Sequence, residues 1–200
     1  MAILPTLYLA SASPRRRELL TQIGVHFETL SVAVEECRHA GESPAGYVHR
    51  VALAKARAGA ALLSATALRP VLGADTEVVI DDRVLGKPAD RAQGIAMLER
   101  LSGRDHEVLT AVAVIAGPQV MTRLVRTQVS FRELSAAECA AYWQTGEPAG
   151  KAGGYAIQGR GALFVRALKG SYSGVMGLPL YETGELLRQL GIDLLAPGSQ

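Results

Sequence analysis

The chain is predicted to be α/β, with a mixed central sheet flanked by helices, and three observations support this class. Short apolar runs of strand length alternate with amphipathic stretches of helix length along most of the 200 residues. Two β-rich segments, 107–116 and 120–131, flank a Gly117-Pro118 turn. Serines stand where helices should begin, at Ser13-Pro14, Ser43-Pro44 and Ser135.

The elements follow in order. Leu7 to Ala10 is apolar and short enough for a buried strand. Ser13 and Pro14 then supply an N-cap and a first-turn proline, Leu19, Leu20 and Ile23 an apolar stripe, and Gly24 a stop. A second helix runs from Ser43-Pro44 to about Leu63, with Val48, Val51, Ala58 and Leu62 as its expected apolar stripe. Val71 to Ile80 reads as a strand, Asp81-Asp82-Arg83 as a turn and Val84-Leu85 as a short return strand. A helix is expected from Asp90 to Leu101, with Gly103 beyond its end, before the two β-rich segments. Ser135 heads a helix through Trp143, with Glu138 at the capping-box position. The remainder reads as a strand at 162–166, a glycine-studded loop, a last helix at about 178–190 and a frayed tail, Ala196 to Gln200. The expected organisation is one domain, 1–195, with the helix around Ser135 in a second lobe and a ligand cleft between the lobes.

Composition narrows the classes of function. Hydrophobic residues make up 48% and charged residues 20%, which fits an ordinary globular chain. The net charge of +2 and 5% aromatic content speak against a nucleic-acid-binding module. No apolar run reaches the roughly 18–20 residues of a membrane-spanning helix, and the first ten residues lack the basic leader of a signal peptide. Two cysteines far apart in sequence, Cys37 and Cys139, fit reduced thiols and a cytoplasmic location. The four histidines show no ligand spacing, which disfavours zinc.

Four places could carry chemistry. A strand feeding a helix N-terminus at Ser11-Ala12-Ser13-Pro14-Arg15-Arg16 aims backbone amides, hydroxyls and guanidinium groups at one point. That is either a phosphate site or a capped helix with solvated arginines. Lys55 falls on the inward face of the second helix, where an ammonium must snorkel to water or meet an anion. Asp75 lies in mid-strand, against both propensity and burial, just after Gly73-Ala74, which leaves room for a substrate. Glu77 projects on the same face, either as a second acid in a cleft or as a charge on a solvated edge. Lys87 sits in a Gly86-Lys87-Pro88 frame that matches no Walker A loop; a solvated loop lysine is the simpler reading there.

Together, Leu9-Ala10-Ser11-Ala12-Ser13-Pro14-Arg15-Arg16, Lys55-Ala56, Gly73-Ala74-Asp75-Thr76, Gly86-Lys87-Pro88, Leu101-Ser102-Gly103, Gly153-Gly154-Tyr155-Ala156-Ile157-Gln158-Gly159 and Gly177-Leu178-Pro179 resemble the Maf family. The resemblance covers about Leu7 to Leu187, and the order and spacing of the pieces make it specific. It implies a Maf/ITPase-like fold and a nucleotide pyrophosphatase that cuts between the α and β phosphates. It also implies a divalent metal, Mg²⁺ or Mn²⁺, and a homodimer. The Pro-Arg-Arg and Gly-Tyr-Ala-Ile-Gln-Gly pieces are similar to the branch acting on dTTP and UTP. By the same resemblance Asp75 matches the proton acceptor and Glu35 a polar position around the phosphates and metal; as carboxylates, Asp75 and Glu35 are the candidate metal ligands. Arg15, Thr76 and Gln158 match positions that separate substrates, while Ser11, Arg16, Lys55 and Lys87 surround the phosphates. Ala12, where glycine is frequent, and Glu77, where an apolar residue is expected, depart from the pattern. The alternatives are a 7-methyl-GTP pyrophosphatase or a non-catalytic nucleotide-binding regulator of septum formation.

Overall fold

A computed structural model describes residues 6–63 and 69–195, so the tail expected at Ala196–Gln200 lies outside the described residues. Among the described residues, seven strands form one mixed sheet. β1 (Leu7–Leu9), β2 (Phe27–Thr29), β3 (Val71–Ile80), β4 (Arg83–Leu85), β5 (Asp105–Ala116), β6 (Gln119–Phe131) and β7 (Val165–Lys169) run in the spatial order β2-β1-β3-β5-β6-β7, with β4 against β3. β1 pairs in parallel with β2 and β3; β3 with β5, β5 with β6 and β6 with β7 are antiparallel. Among the described residues, six helices flank the sheet: α1 (Pro14–Gln22), α2 (Pro44–Ala61), α3 (Arg91–Leu101), α4 (Ala136–Gln144), α5 (Tyr172–Met176) and α6 (Leu180–Gln189).

The sequence signals for helix starts hold at three places. Ser43 accepts from Gly46 N–H, Asp90 from Gln93 N–H, and Ser135 forms a full capping box with Glu138. Two boundaries move. The strand expected at 162–166 begins at Val165, because Arg160–Phe164 winds into a 3-10 turn first. The stripe of α2 is Tyr47, Val48, Val51, Ala52, Lys55, Ala56 and Gly59; of the residues expected in it, Ala58 is only half-buried and Leu62 is the C-terminal cap and exposed. The short β2, α5 and a 3-10 turn at Ala152–Gly154 were not expected.

The core has three parts, and their arrangement positions the site. α2 covers one face of the sheet through Val48, Val51, Ala52 and Ala56 against Leu109, Ala111 and Ala113. Its approach is so close that a Cβ on Gly73 would lie 2.5 Å from Ala52 O and Ala56 N, so only glycine fits there. The opposite face is divided. α1 and α6 pack on Leu7, Leu9, Leu72 and Val114 at one end, while α3 and α4 pack on Val78, Val108 and Phe131 at the other. Between these clusters runs a polar belt. Thr110 donates to Gly174 O at 2.7 Å, its Oγ1 lies 3.1 Å from the Thr76 hydroxyl, and Thr127 Oγ1 accepts from Ser171 N–H at 3.0 Å. α5 lies over that belt, so its backbone satisfies hydroxyls that would otherwise be stranded. No helix among the described residues is long and apolar enough to cross a membrane.

Candidate active site

β3 is paired with β5 along one edge, from Val71 to Val79, but its other edge is shared between two short strands. β1 covers Val71 and Leu72, β4 covers Val78 to Ile80, and neither pairs with the stretch 73–77. Ala10 N–H donates to Leu72 O at 2.8 Å, the last rung before the chain turns away into α1. By strand alternation the backbone groups of Ala74 and Thr76 point into this gap, while Asp75 and Glu77 stand on one face and Thr76 on the other. A cavity of about 530 Å³ opens there, and it draws side chains from both faces.

On the α2 face, Lys55 Nζ lies 2.8 Å from Asp75 Oδ1 and 2.7 Å from Glu36 Oε1. Lys55 and Asp75 are 8% and 5% exposed, so this is a buried pair. Lys87 Nζ lies 3.6 Å from Glu36 Oε2 and is itself exposed to solvent. Asp75 Oδ2 and Glu77 Oε2 are both buried and have no hydrogen-bond partner. Burial, and then the neighbouring charge of Asp75, push the Glu77 carboxyl up to about 8. Burial would raise Glu36 as well, but Lys55 and Lys87 outweigh it and hold that carboxyl below its usual value.

On the other face, Arg16 turns back from the first turn of α1 and is buried. Its Nε donates to Gly177 O at 2.8 Å, Nη1 to Ser11 Oγ at 3.0 Å and Nη2 to Thr76 Oγ1 at 3.4 Å. Gly177 has φ of 124°, a conformation that favours glycine, and it directs its carbonyl at Arg16. Burial lowers Arg16 from its usual value, and Asp75, Glu36 and Glu77 oppose that shift. The guanidinium stays charged at neutral pH all the same. Ser13 occupies the N-cap of α1, but its side chain makes no capping bond; its own N–H goes to Ser11 Oγ at 3.2 Å. The helix N-terminus therefore faces the cavity without a side-chain cap, the arrangement in which it attracts an anion. Arg15, half-buried at the rim, pairs with Glu18 at 3.0 Å.

Of the residues singled out in the sequence, Ser11, Arg15, Arg16, Lys55, Asp75, Thr76, Lys87 and Gln158 all line this one cavity. Glu35 does not. Its side chain is 70% exposed, 4.0 Å from His39, and the adjacent Glu36 takes the inward place. The reason lies in the loop after β2. Tyr47 donates to Glu36 O at 2.8 Å and Arg38 to Glu42 O at 2.6 Å, which fixes the loop so that residue 36 turns toward the lysines.

The loop that carries Gln158 is held by a network that sequence reading missed. Tyr142 accepts from Ala156 N–H at 3.1 Å and donates to Glu147 Oε1 at 2.5 Å, while Glu147 also accepts from Arg160 N–H at 2.9 Å and Gly161 N–H at 3.0 Å. One carboxylate thus staples the 156–161 loop to the end of α4. Lys151 adds a further cation to the cavity wall. A second cavity of about 630 Å³ lies elsewhere, lined by Asp81, Arg104, Glu107 and Arg126. Its charges already pair with one another, Arg104 with Asp81 at 2.6 Å and Arg126 with Glu107 at 3.4 Å, so it offers less to an anion.

The family model described as Maf-like protein matches residues 6–190. A protein of Saccharophagus degradans named dTTP/UTP pyrophosphatase is 62% identical over 183 residues, covering 90% of this chain and 87% of its own. Proteins of the same name from Alkalilimnicola ehrlichii and Xanthomonas campestris pv. campestris are 55% and 56% identical. They cover 94% and 92% of this chain, and 95% and 98% of their own lengths.

Proposed function

The chain belongs to the Maf-like protein family, and from that membership and the cleft at β3 we propose that it hydrolyses dTTP and UTP to the nucleoside monophosphate and pyrophosphate. One observation carries the chemistry: four cationic side chains and an uncapped helix N-terminus surround a buried aspartate with one oxygen unpartnered. A nucleoside triphosphate carries about four negative charges near neutral pH, and Arg15, Arg16, Lys55 and Lys87 match them.

Lys55 holds Asp75 Oδ1, which leaves Oδ2 to take a proton from water. The water oxygen bonds to the α-phosphorus, the bond from that phosphorus to the α–β bridging oxygen breaks, and pyrophosphate leaves with that oxygen. Arg16, fixed by three hydrogen bonds, supplies charge at the phosphates without having to reorganise. Lys55 and Lys87 line the same cavity and add charge at the phosphates while Glu36 stays paired beside them.

A divalent cation fits this set of donors. Carboxylate oxygens suit Mg²⁺ or Mn²⁺, and two of those lining the cavity lack partners. Mg²⁺ and Mn²⁺ are commonly held by one or two carboxylates together with the phosphates of the substrate. Asp75 would hold it; Glu35, expected beside it, points elsewhere. Such an ion neutralises phosphate charge and acidifies bound water.

Gln158, in the wall of the same cavity, offers an amide donor and acceptor that match the N3–H and O4 edge of uracil or thymine. A purine leaves those groups unpaired. We take the enzyme to act in the cytoplasm as a homodimer of a two-lobed domain. The test is turnover of UTP, dTTP, GTP and 7-methyl-GTP with Mg²⁺, with products separated by anion-exchange chromatography. UMP and dTMP with pyrophosphate are expected; preferred cleavage of 7-methyl-GTP would reassign the base, and no turnover would remove the activity.

A further inference from the structure

We propose that Glu77 supplies the second protein carboxylate to the divalent cation, beside Asp75. The inference rests on the pyrophosphatase activity above and names a residue for which the family resemblance suggested an apolar side chain. Strand alternation places Asp75 and Glu77 on the same face of β3, about 7 Å apart along the strand. Two side chains of this length can span that distance. Both line the cavity, and each has a buried carboxylate oxygen, Oδ2 and Oε2, with no hydrogen-bond partner. An unpaired buried carboxylate oxygen is costly, and two of them side by side repel one another as well. A shared cation removes both penalties at once.

The other carboxylates are less suited. Glu36 spends Oε1 on Lys55 and Oε2 on Lys87, and Glu35 lies outside the cavity. Glu77 makes no ion pair among the described residues, and it is too enclosed for the solvated edge charge that its strand position first allowed. It also stands where the main cavity meets a neighbouring one of about 560 Å³, lined by Tyr47, Arg83 and Lys87. Water and phosphate oxygens can therefore complete the coordination of an ion held there.

Mn²⁺ binding tests this directly. The EPR signal of free Mn²⁺ is followed during titration of wild type, Glu77→Gln, Glu77→Asp, Glu36→Gln and the remote control Glu28→Gln, with and without the non-hydrolysable α,β-imido-UTP. Glu77→Gln is expected to weaken Mn²⁺ at least tenfold in one or both series, Glu77→Asp to restore part of it, and Glu28→Gln to match wild type. Thermal unfolding without metal separates misfolding from ligand loss, and Glu77→Asp carries the comparison if the glutamine variant unfolds. Mn²⁺ affinity of Glu77→Gln within twofold of wild type overturns the proposal. So does a loss confined to Glu36→Gln, or a wild type that binds no Mn²⁺ in either series. Wild-type turnover of UTP, measured in parallel, tells this failure from failure of the activity itself.

Discussion

Replacing Lys55 by methionine removes one ammonium and leaves Asp75 buried without its cation. At 2.8 Å and an effective dielectric of about 20, the gross attraction of the pair is roughly 6 kcal/mol. Desolvation of two groups that are 8% and 5% exposed cancels much of this, so truncating one partner should cost about 3–5 kcal/mol. Asp75→Asn strands the lysine less severely, because Glu36 remains 2.7 Å from it, and about 2 kcal/mol is expected. The double variant retains neither buried charge. Its loss should fall short of the sum of the singles by about 2 kcal/mol, measured by urea unfolding at neutral pH as a double-mutant cycle. All three variants should lack hydrolysis, so stability rather than turnover is the readout. Additivity within about 0.5 kcal/mol would refute the reasoning, because it would mean that the pair is not coupled in the folded protein.

Three further outcomes follow from other parts of the molecule. Gly73→Ala drives a methyl group to 2.5 Å from the backbone of α2, so it should cost about 3 kcal/mol and lower Tm by roughly 6–12 °C in a calorimetric scan. Tyr142→Phe removes the hydroxyl joining Glu147 to the Gln158 loop; steady-state kinetics should show KM for UTP up about tenfold, with kcat changed less than about threefold. Burial holds His106, which hydrogen-bonds Tyr155 at 2.9 Å, down at about 4. The unfolded chain therefore takes this proton first as pH falls, and stability present above about 6.5 is lost between 6.5 and 4, by about 3 kcal/mol. Urea midpoints across that range should show the loss, and His106→Gln should flatten it.

Much of this was legible in the sequence because it obeys local rules. Ser43-Pro44 and Ser135 with Glu138 mark their helices, and Asp75 stands out because a mid-strand carboxylate conflicts with its surroundings. Lys55 announced itself by helical spacing, and the anion it meets is Asp75. Illegible features depended on contacts distant in sequence. Nothing local separates Glu35 from Glu36; the Tyr47 hydroxyl, eleven residues away, decides which turns inward. α5 is five residues long, too short for periodicity to register, and it is placed by the threonine belt beneath it. The open stretch of β3 was hidden for the same reason, since it exists only because β1 and β4 meet opposite ends of one edge.

The measurement that bears most directly on the proposed activity is ³¹P NMR of UTP turnover in H₂¹⁸O with Mg²⁺. Attack of water on the α-phosphorus, with Asp75 as the proton acceptor, predicts UMP carrying the label, unlabelled pyrophosphate and no orthophosphate, all absent in Asp75→Asn. Orthophosphate with UDP, or label in the pyrophosphate, would contradict the account.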